Sequence, residues 1–171
     1  MSQARHTQPL KDEHAELRPR LEMLRTAADA VGSATRADLA GRVAGCHAFL
    51  VEHLLVHAQA EEAVLYPAVE TVRGCEGATD TMRLDHAEIR RLTDELGPLS
   101  DRLQRSELAP GEQNRLRMIL YGLYVLVMLH LQKEEQAYLP ILDARLTAGQ
   151  ATEMFRRLHA AAEEAARSSS R

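Results

Sequence analysis

Apolar residues recur at intervals of three and four along most of this chain, which is the spacing of one face of an α-helix. Short stretches rich in glycine, proline and small polar residues interrupt the pattern, and helices are expected to end there. The pattern predicts five helices, over about residues 8–30, 35–72, 79–105, 112–146 and 148–166. The last helix is expected to be short and to pack across the others, with residues 168–171 disordered.

Prolines in the middle of the first and third predicted helices are expected to distort them. Pro19 lies within the first, and Gly97 and Pro98 lie within the third. Proline lacks an amide hydrogen and crowds the carbonyl group four residues before it, so it bends a helix or ends it. We expect a local bend at Pro19 and a bend or an interruption at Pro98.

The chain carries an internal duplication, which is clearest in two short motifs. His57-Ala-Gln-Ala-Glu61-Glu62 recurs as His130-Leu-Gln-Lys-Glu134-Glu135, and His14-Ala-Glu-Leu-Arg recurs as His86-Ala-Glu-Ile-Arg. The step is 72 residues from His14 to His86 and 73 from His57 to His130. A unit of this length holds two helices, whose apolar stripes need a second pair to cover them. The sequence therefore predicts an all-α, up-down four-helix bundle made of two duplicated helical hairpins, plus a short C-terminal helix.

Composition agrees with one mostly helical domain over residues 1–171, with its core over about residues 8–146. Of the 171 residues, 45% are hydrophobic and 27% are charged. The net charge of −4, with arginines and carboxylates interspersed, argues against a nucleic-acid partner. The N-terminus shows no signal-peptide pattern, and the most apolar stretch, Met118–Leu131, is too short to cross a bilayer. We expect a cytoplasmic protein with no membrane partner, and a buried core helix over Met118–Leu131.

The repeated motifs place metal-binding side chains at helical spacing. Residues four apart share a helix face, so His57 can act with Glu61 and His130 with Glu134. Helical bundles build di-iron sites from such imidazoles and carboxylates, and burying them without a metal costs several kcal/mol. The sequence predicts a metal site in the bundle with six ligands: His14, His57, Glu61, His86, His130 and Glu134.

The repeat also predicts how these ligands are shared. Glu61 and Glu134, related by the pseudo-twofold of the repeat, would bridge two metal ions, and each ion would take two of the four histidines. A bridging oxo or hydroxo group would bring each ion to five donors. One position per octahedral ion then stays open for oxygen, peroxide, nitric oxide or water, and an open position indicates ligand chemistry.

Neighbouring residues leave alternatives open. Glu62 and Glu135 are either hydrogen-bond acceptors for a ligand imidazole or surface carboxylates. His53, one turn before His57, is either a fifth histidine ligand or a packing residue, and its repeat counterpart Leu126 favours packing.

Other reactive side chains are assigned simpler roles. Tyr121 and Tyr124 are expected to pack in the core, although a tyrosinate ligand stays open as an alternative. Histidines without repeat partners are expected to be exposed to solvent, and both cysteines are expected to be free thiols; they are His6, His47, His159, Cys46 and Cys75.

At these motifs the chain resembles the hemerythrin-like family, also called the HHE cation-binding domain. The resemblance covers about residues 8–146 and includes Pro67 and Pro140, each ten residues after the second histidine of its copy. It implies a four-helix bundle that holds two non-haem iron ions on the six ligands named above.

The chain departs from respiratory hemerythrins in two ways. They have a fifth histidine four residues after the one on the third helix, where this chain has Arg90. They also space the histidine and aspartate of the last helix by five, whereas His130 and Glu134 are four apart. The site is therefore expected to be more symmetric, which argues against reversible oxygen carriage and is at least as compatible with sensing or peroxide chemistry.

Three functional hypotheses follow. The first is a di-iron protein that binds or senses oxygen, nitric oxide, peroxide or iron. The second is a di-iron enzyme that decomposes hydrogen peroxide, although no additional residue is spaced as an obvious proton shuttle. The third is a structural zinc or manganese bundle, because imidazole and carboxylate accept several divalent ions. The sequence names no protein partner and no oligomeric state.

Overall fold

The computed structural model describes residues 6–169, and all regular structure in that range is helical. Five helices follow one another, which confirms the predicted all-α bundle: α1 (Gln8–Ala30), α2 (Arg36–Arg73), α3 (Asp80–Arg105), α4 (residues 110–145) and α5 (Ala148–Ser169). The observed ends of α1 to α4 lie within two residues of the predicted ends.

Neighbouring helices of the bundle pack in a closed ring. Helix α1 packs against α2 and α4, and α3 packs against the same two helices, while α5 lies along α2. Short connections join them, and the loop after α2 begins with Gly74 at a φ of 63°. This left-handed conformation, which suits glycine, lets the Cys75 amide donate to the Glu70 carbonyl and closes the helix.

The prolines inside α1 and α3 do not interrupt them. Pro19 lies within the continuous helix α1, and Pro98 lies within the continuous helix α3. Of the two alternatives predicted at Pro98, a bend or an interruption, the interruption is therefore wrong.

Helix α5 is longer than expected. It continues to Ser169, so the disorder predicted from Ser168 is wrong for residues 168 and 169. Residues 170 and 171, where the same prediction also falls, lie outside the described residues. The amide of Gln150 donates to the Thr147 hydroxyl at 3.3 Å, which caps the start of this helix.

Three turns in the long helices are π-helical. They span Leu50–Leu54 and Glu61–Leu65 in α2 and Glu134–Tyr138 in α4, and the last two begin at the predicted carboxylate ligands. Each of these two turns is followed by one residue, Tyr66 or Leu139, and then by a proline. The amide of Tyr66 or Leu139 donates to the carbonyl five residues earlier, which is the π-helical hydrogen bond. Such turns bring residues five apart onto one face and are frequent at functional sites.

Two apolar clusters fill the interior. The larger includes Leu24 of α1, Phe49 of α2 and Leu123 of α4, and the smaller includes Leu10 of α1 and Leu158 of α5. Along every helix of the bundle, the predicted ligands lie where the residues of one cluster give way to those of the other. The predicted metal site is therefore a polar layer between two apolar layers.

Helix α4 is not buried on all sides. Met118, Val125 and Leu129 are 64%, 59% and 51% exposed, so the prediction of a buried core helix over Met118–Leu131 is only half right. Only one face of α4 meets the core, because the helix lies at the outside of a four-helix ring. By length and mean hydropathy, α2 is the one helix among the described residues that could cross a membrane, but core helices of bundles meet the same criterion, and this one carries His57 and Glu61.

Candidate metal centre

Each of the four bundle helices contributes one histidine to the centre. His14 comes from α1, His57 from α2, His86 from α3 and His130 from α4. The ligand atoms of His14, His57, Glu61 and Glu134 all lie within 4.8 Å of one another, and so do those of Glu61, His86 and His130. The structure thus brings together all six predicted ligands in two adjoining sets.

The two carboxylates lie between the two pairs of imidazoles. Glu61 directs Oε1 toward the first pair, 3.0 Å from His57 Nε2, and Oε2 toward the second, 3.5 Å from His86 Nε2. Glu134 does the same with Oε2, 3.4 Å from His14 Nε2, and Oε1, 3.5 Å from His130 Nε2. Each carboxylate therefore offers one oxygen to each set, which is the arrangement that bridging requires.

Unpaired buried atoms test whether this donor set fits a metal. Among residues 6–169, five buried side-chain atoms have no hydrogen-bond partner: His14 Nε2, His57 Nε2, Glu61 Oε1, Glu61 Oε2 and Glu134 Oε2. Leaving buried polar atoms unpaired costs about 1–3 kcal/mol each. Nitrogen and oxygen donors at ~2.1 Å from one ion and at right angles lie about 3 Å apart. The close pairs here are similar, from 2.9 Å between His86 Nε2 and His130 Nε2 to 3.8 Å between His14 Nε2 and Glu61 Oε1. The residues fit cations held between them.

A carboxylate faces the outer nitrogen, Nδ1, of every one of these histidines. With the ring proton on Nδ1, the imidazoles of His14, His86 and His130 donate to that carboxylate, and each Nε2 keeps its lone pair for a metal. The distances are 3.1 Å for His14 to Glu135, 2.9 Å for His86 to Glu62, 3.0 Å for His130 to Asp85, and 3.6 Å for His57 to Glu13.

These four carboxylates follow the repeat. Glu62 and Glu135 each come directly after a predicted glutamate ligand, and Glu13 and Asp85 each come directly before a histidine. Of the two alternatives for Glu62 and Glu135, the contacts support hydrogen-bond acceptors for a ligand imidazole. Sequence reasoning missed Glu13 and Asp85, although an acidic residue precedes the repeated histidine in both copies.

Tyr66 also reaches the centre, and sequence reasoning missed it. Its hydroxyl donates to Glu134 Oε1 at 2.9 Å and lies 3.1 Å from His86 Nε2 and 3.4 Å from His130 Nε2. At regular α-helical spacing a residue five after Glu61 would point away from the site. The π-helical turn at Glu61–Leu65 brings it onto the same face.

Comparison with protein families gives one family, described as the hemerythrin HHE cation binding domain, which matches residues 6–142 and, in a second overlapping match, residues 77–169. The chain belongs to the hemerythrin HHE cation-binding family. The second match begins where the second copy of the duplicated unit begins, in agreement with the internal repeat. No curated protein and no solved structure matches the chain.

The ionisation of this HHE site is set by burial and close charges. Burial and the neighbouring charge of Glu61 raise the pKa of Glu134 well above its ordinary value. Burial acts on Glu61 too, but the charge of His57 and the close approach of His14 and His86 hold its pKa well below the usual range. Burial and the two carboxylates raise the pKa of the Tyr66 phenol, so in the metal-free protein it keeps its proton and donates it to Glu134.

The histidine and tyrosine alternatives are resolved by position. His53 is exposed and stacks on the Phe49 ring with centroids 6.2 Å apart, outside both ligand sets, so the packing role fits. Tyr121 is exposed and not in the core as expected, and its hydroxyl donates to Asp29. Tyr124 is half-buried against the larger apolar cluster, which agrees with the expected packing role, and its hydroxyl donates to Glu22.

The predictions for the histidines without repeat partners are confirmed only in part, and those for the cysteines are confirmed. His159 is exposed as expected, whereas His6 and His47 are half-buried and that part of the prediction is wrong. Cys46, which is buried, and Cys75, which is exposed, are free thiols as expected.

Proposed function

We propose that this HHE protein holds two non-haem iron ions and binds or senses a small ligand there, namely oxygen, nitric oxide, peroxide or iron itself. The observation that carries the proposal is the set of five buried donor atoms without hydrogen-bond partners at the meeting point of four histidines and two glutamates. Bound iron supplies an open coordination position and a reversible change of oxidation state.

Two ions suit the centre better than one. Each imidazole pair faces its own oxygen of Glu61 and its own oxygen of Glu134. His14 and His57 would hold one ion and His86 and His130 the other, with the two carboxylates between them. The surrounding protein orients the imidazoles through their Nδ1 partners and excludes water through the two apolar clusters.

Iron content and absorption test the proposal. Protein produced with iron is expected to contain two iron ions per chain and to show near-ultraviolet charge-transfer bands that change when air, nitric oxide or peroxide is added to the reduced form. A His86→Ala variant should lose these bands, whereas His159→Ala, at an exposed histidine outside the centre, should keep them. One ion per chain, or zinc or manganese in place of iron, would contradict the di-iron proposal.

A groove beside His57 favours the second candidate function, the decomposition of hydrogen peroxide. It has a volume of about 350 Å³, is bordered by Glu13, Arg20, His53 and His57, and reaches the most exposed of the six ligands. Turnover needs such a path for peroxide to enter and for products to leave. The test is the number of hydrogen peroxide molecules that each di-iron centre consumes. Many molecules per centre would establish an enzyme, whereas a single stoichiometric reaction would support the binding or sensing function instead.

A further inference from the structure

The two halves of the centre match at every predicted ligand but differ at the buried position five residues after each glutamate ligand. Tyr66 in α2 corresponds to Leu139 in α4, because the repeat step between their histidines is 73 residues. Both side chains are fully buried, directly before a proline. Only the half that contains His86 and His130 therefore receives a hydroxyl group.

The surroundings of this hydroxyl contain more acceptors than it can satisfy. His86 and His130 direct their Nδ1 atoms at Glu62 and Asp85, and with the ring protons on Nδ1 both Nε2 atoms carry lone pairs. These two lone-pair atoms lie only 2.9 Å apart. In these tautomers the Tyr66 hydroxyl donates its single proton to Glu134, so the Tyr66 oxygen and the two Nε2 atoms face one another without a proton between them.

A cation resolves this arrangement. The Tyr66 oxygen lies 3.1, 3.4 and 2.9 Å from His86 Nε2, His130 Nε2 and Glu134 Oε1. These separations match those among the ligand atoms themselves, which are 2.9 Å between the two Nε2 atoms and 3.5 Å from His130 Nε2 to Glu134 Oε1. The phenol oxygen thus stands where a further donor to the same ion would stand.

We propose that Tyr66 is a seventh protein ligand and binds the ion held by His86 and His130. As that ion binds, the phenol O–H bond breaks, its proton leaves to solvent, and an oxygen–metal bond forms. The inference rests on the proposed metal centre. It makes the two ions unequal, with five protein donors on one side and four on the His14/His57 side.

The difference between Tyr66 and Leu139 also indicates which of the two ions binds a small ligand. The His14/His57 side has Leu139 where the other side has Tyr66, so no protein oxygen competes there for the open position. His57 is 13% exposed and borders the groove, whereas His86 and His130 are 2% and 3% exposed. Small ligands therefore bind at the His14/His57 ion. The symmetric site expected from the sequence becomes an unsymmetric one.

Spectroscopy of the iron-loaded protein tests the role of Tyr66. The ferric native protein is expected to show a visible phenolate-to-iron absorption band and tyrosine ring vibrations in its resonance Raman spectrum. Tyr66→Phe removes one oxygen and keeps the ring, and it should retain two iron ions while losing both signals. Tyr124→Phe is the matched control, because its hydroxyl contacts Glu22 away from the centre, and it should keep both signals.

Azide binding gives a second readout. The native protein should bind one azide per two iron ions, and Tyr66→Phe should bind two. Two iron ions in the native protein without a phenolate signal would overturn the role of Tyr66 and leave the di-iron proposal standing. A native protein that takes up no iron would overturn the di-iron proposal itself. The native spectrum decides the role of Tyr66 even where the variant fails to fold.

Discussion

At the scale of single residues, the Nδ1 atoms of the four histidines matter to the metal site as well as the Nε2 atoms that face it. Each Nδ1 faces a carboxylate on the neighbouring helix, and the four carboxylates repeat with the histidines. Such partners fix the tautomer and the ring orientation and make the imidazole a better electron donor. Removing one should therefore weaken metal binding without removing a ligand.

Glu62→Gln tests this role cleanly, because the Glu62 carboxylate contacts His86 and the substitution keeps its shape. We expect iron affinity to fall about 10- to 100-fold, measured by competition with a chelator, with the thermal stability of the metal-free protein little changed. Glu153→Gln, at an exposed glutamate paired only with Arg156, is the control and should leave affinity unchanged. Equal affinities of the two variants would contradict the role.

A second prediction concerns Glu134 in the metal-free protein. Its folded pKa is raised by burial and by Glu61, so between its unfolded and folded pKa values the folded state binds a proton that the unfolded state has released. Stability then falls as pH rises from about 4.5 toward the folded pKa. Glu134→Gln stays neutral throughout, so we expect the metal-free variant to be more stable than the native protein at pH 7.5, with the gap closing toward pH 4.5.

Urea unfolding of both metal-free proteins across this pH range measures the effect. Parallel pH profiles would show that Glu134 does not carry a raised pKa in the folded state. Glu134→Gln should also bind iron more weakly, because it lacks a carboxylate ligand. The variant is therefore expected to lose iron affinity while its metal-free fold gains stability.

At the scale of helices, the π-helical turns explain what helical periodicity could not predict. Pro67 has no amide hydrogen for the carbonyl of Glu62, five residues earlier, and Arg83 donates to that carbonyl instead at 3.3 Å. The turn that ends there carries Tyr66 to the centre. A local change of helical register therefore decides which residue completes the site.

The burial of only one face of α4 can be tested by comparing two leucines of that helix. Leu123 is fully buried in the larger apolar cluster, and Leu129, on the same helix, is 51% exposed. Leu123→Ala should lower the free energy of unfolding by about 2–5 kcal/mol, and Leu129→Ala by no more than about 0.5 kcal/mol. Chemical denaturation measures both. Similar losses for the two variants would mean that Leu129 is covered, as the sequence pattern alone had suggested.

At the scale of the whole molecule, the polar layer divides the interior. Four histidines and two glutamates separate the two apolar clusters, and their unpaired atoms make the metal-free bundle costly to fold. A metal that binds the folded chain stabilises it by mass action, by about 2.7 kcal/mol at a free concentration 100 times the dissociation constant.

Removal of the metal should therefore lower the melting temperature. For a chain of this size we expect a fall of roughly 5–10 °C under that condition, measured by thermal unfolding before and after chelation and after iron is restored. A His86→Ala variant should show a much smaller difference between the two states. Equal melting temperatures for metal-free and iron-loaded native protein would contradict a buried site.

The sequence by itself determined the helices, the duplication, the four-helix architecture and the six residues that meet at the centre. It could do so because helical periodicity is local and a repeated His-x-x-x-Glu motif places both side chains on one face. Helix ends followed from glycine, proline and capping residues such as Thr147 for the same reason.

Only the tertiary structure decided the rest. The pairing of Glu62 with His86 or of Asp85 with His130 joins different helices, so it depends on how those helices are rotated in the bundle. The position of Tyr66 depends on a π-helical turn that shifts the helical register, and the exposure of Leu129 depends on which face of α4 meets its neighbours. These features arise from contacts between distant segments, which a pattern along the chain does not contain.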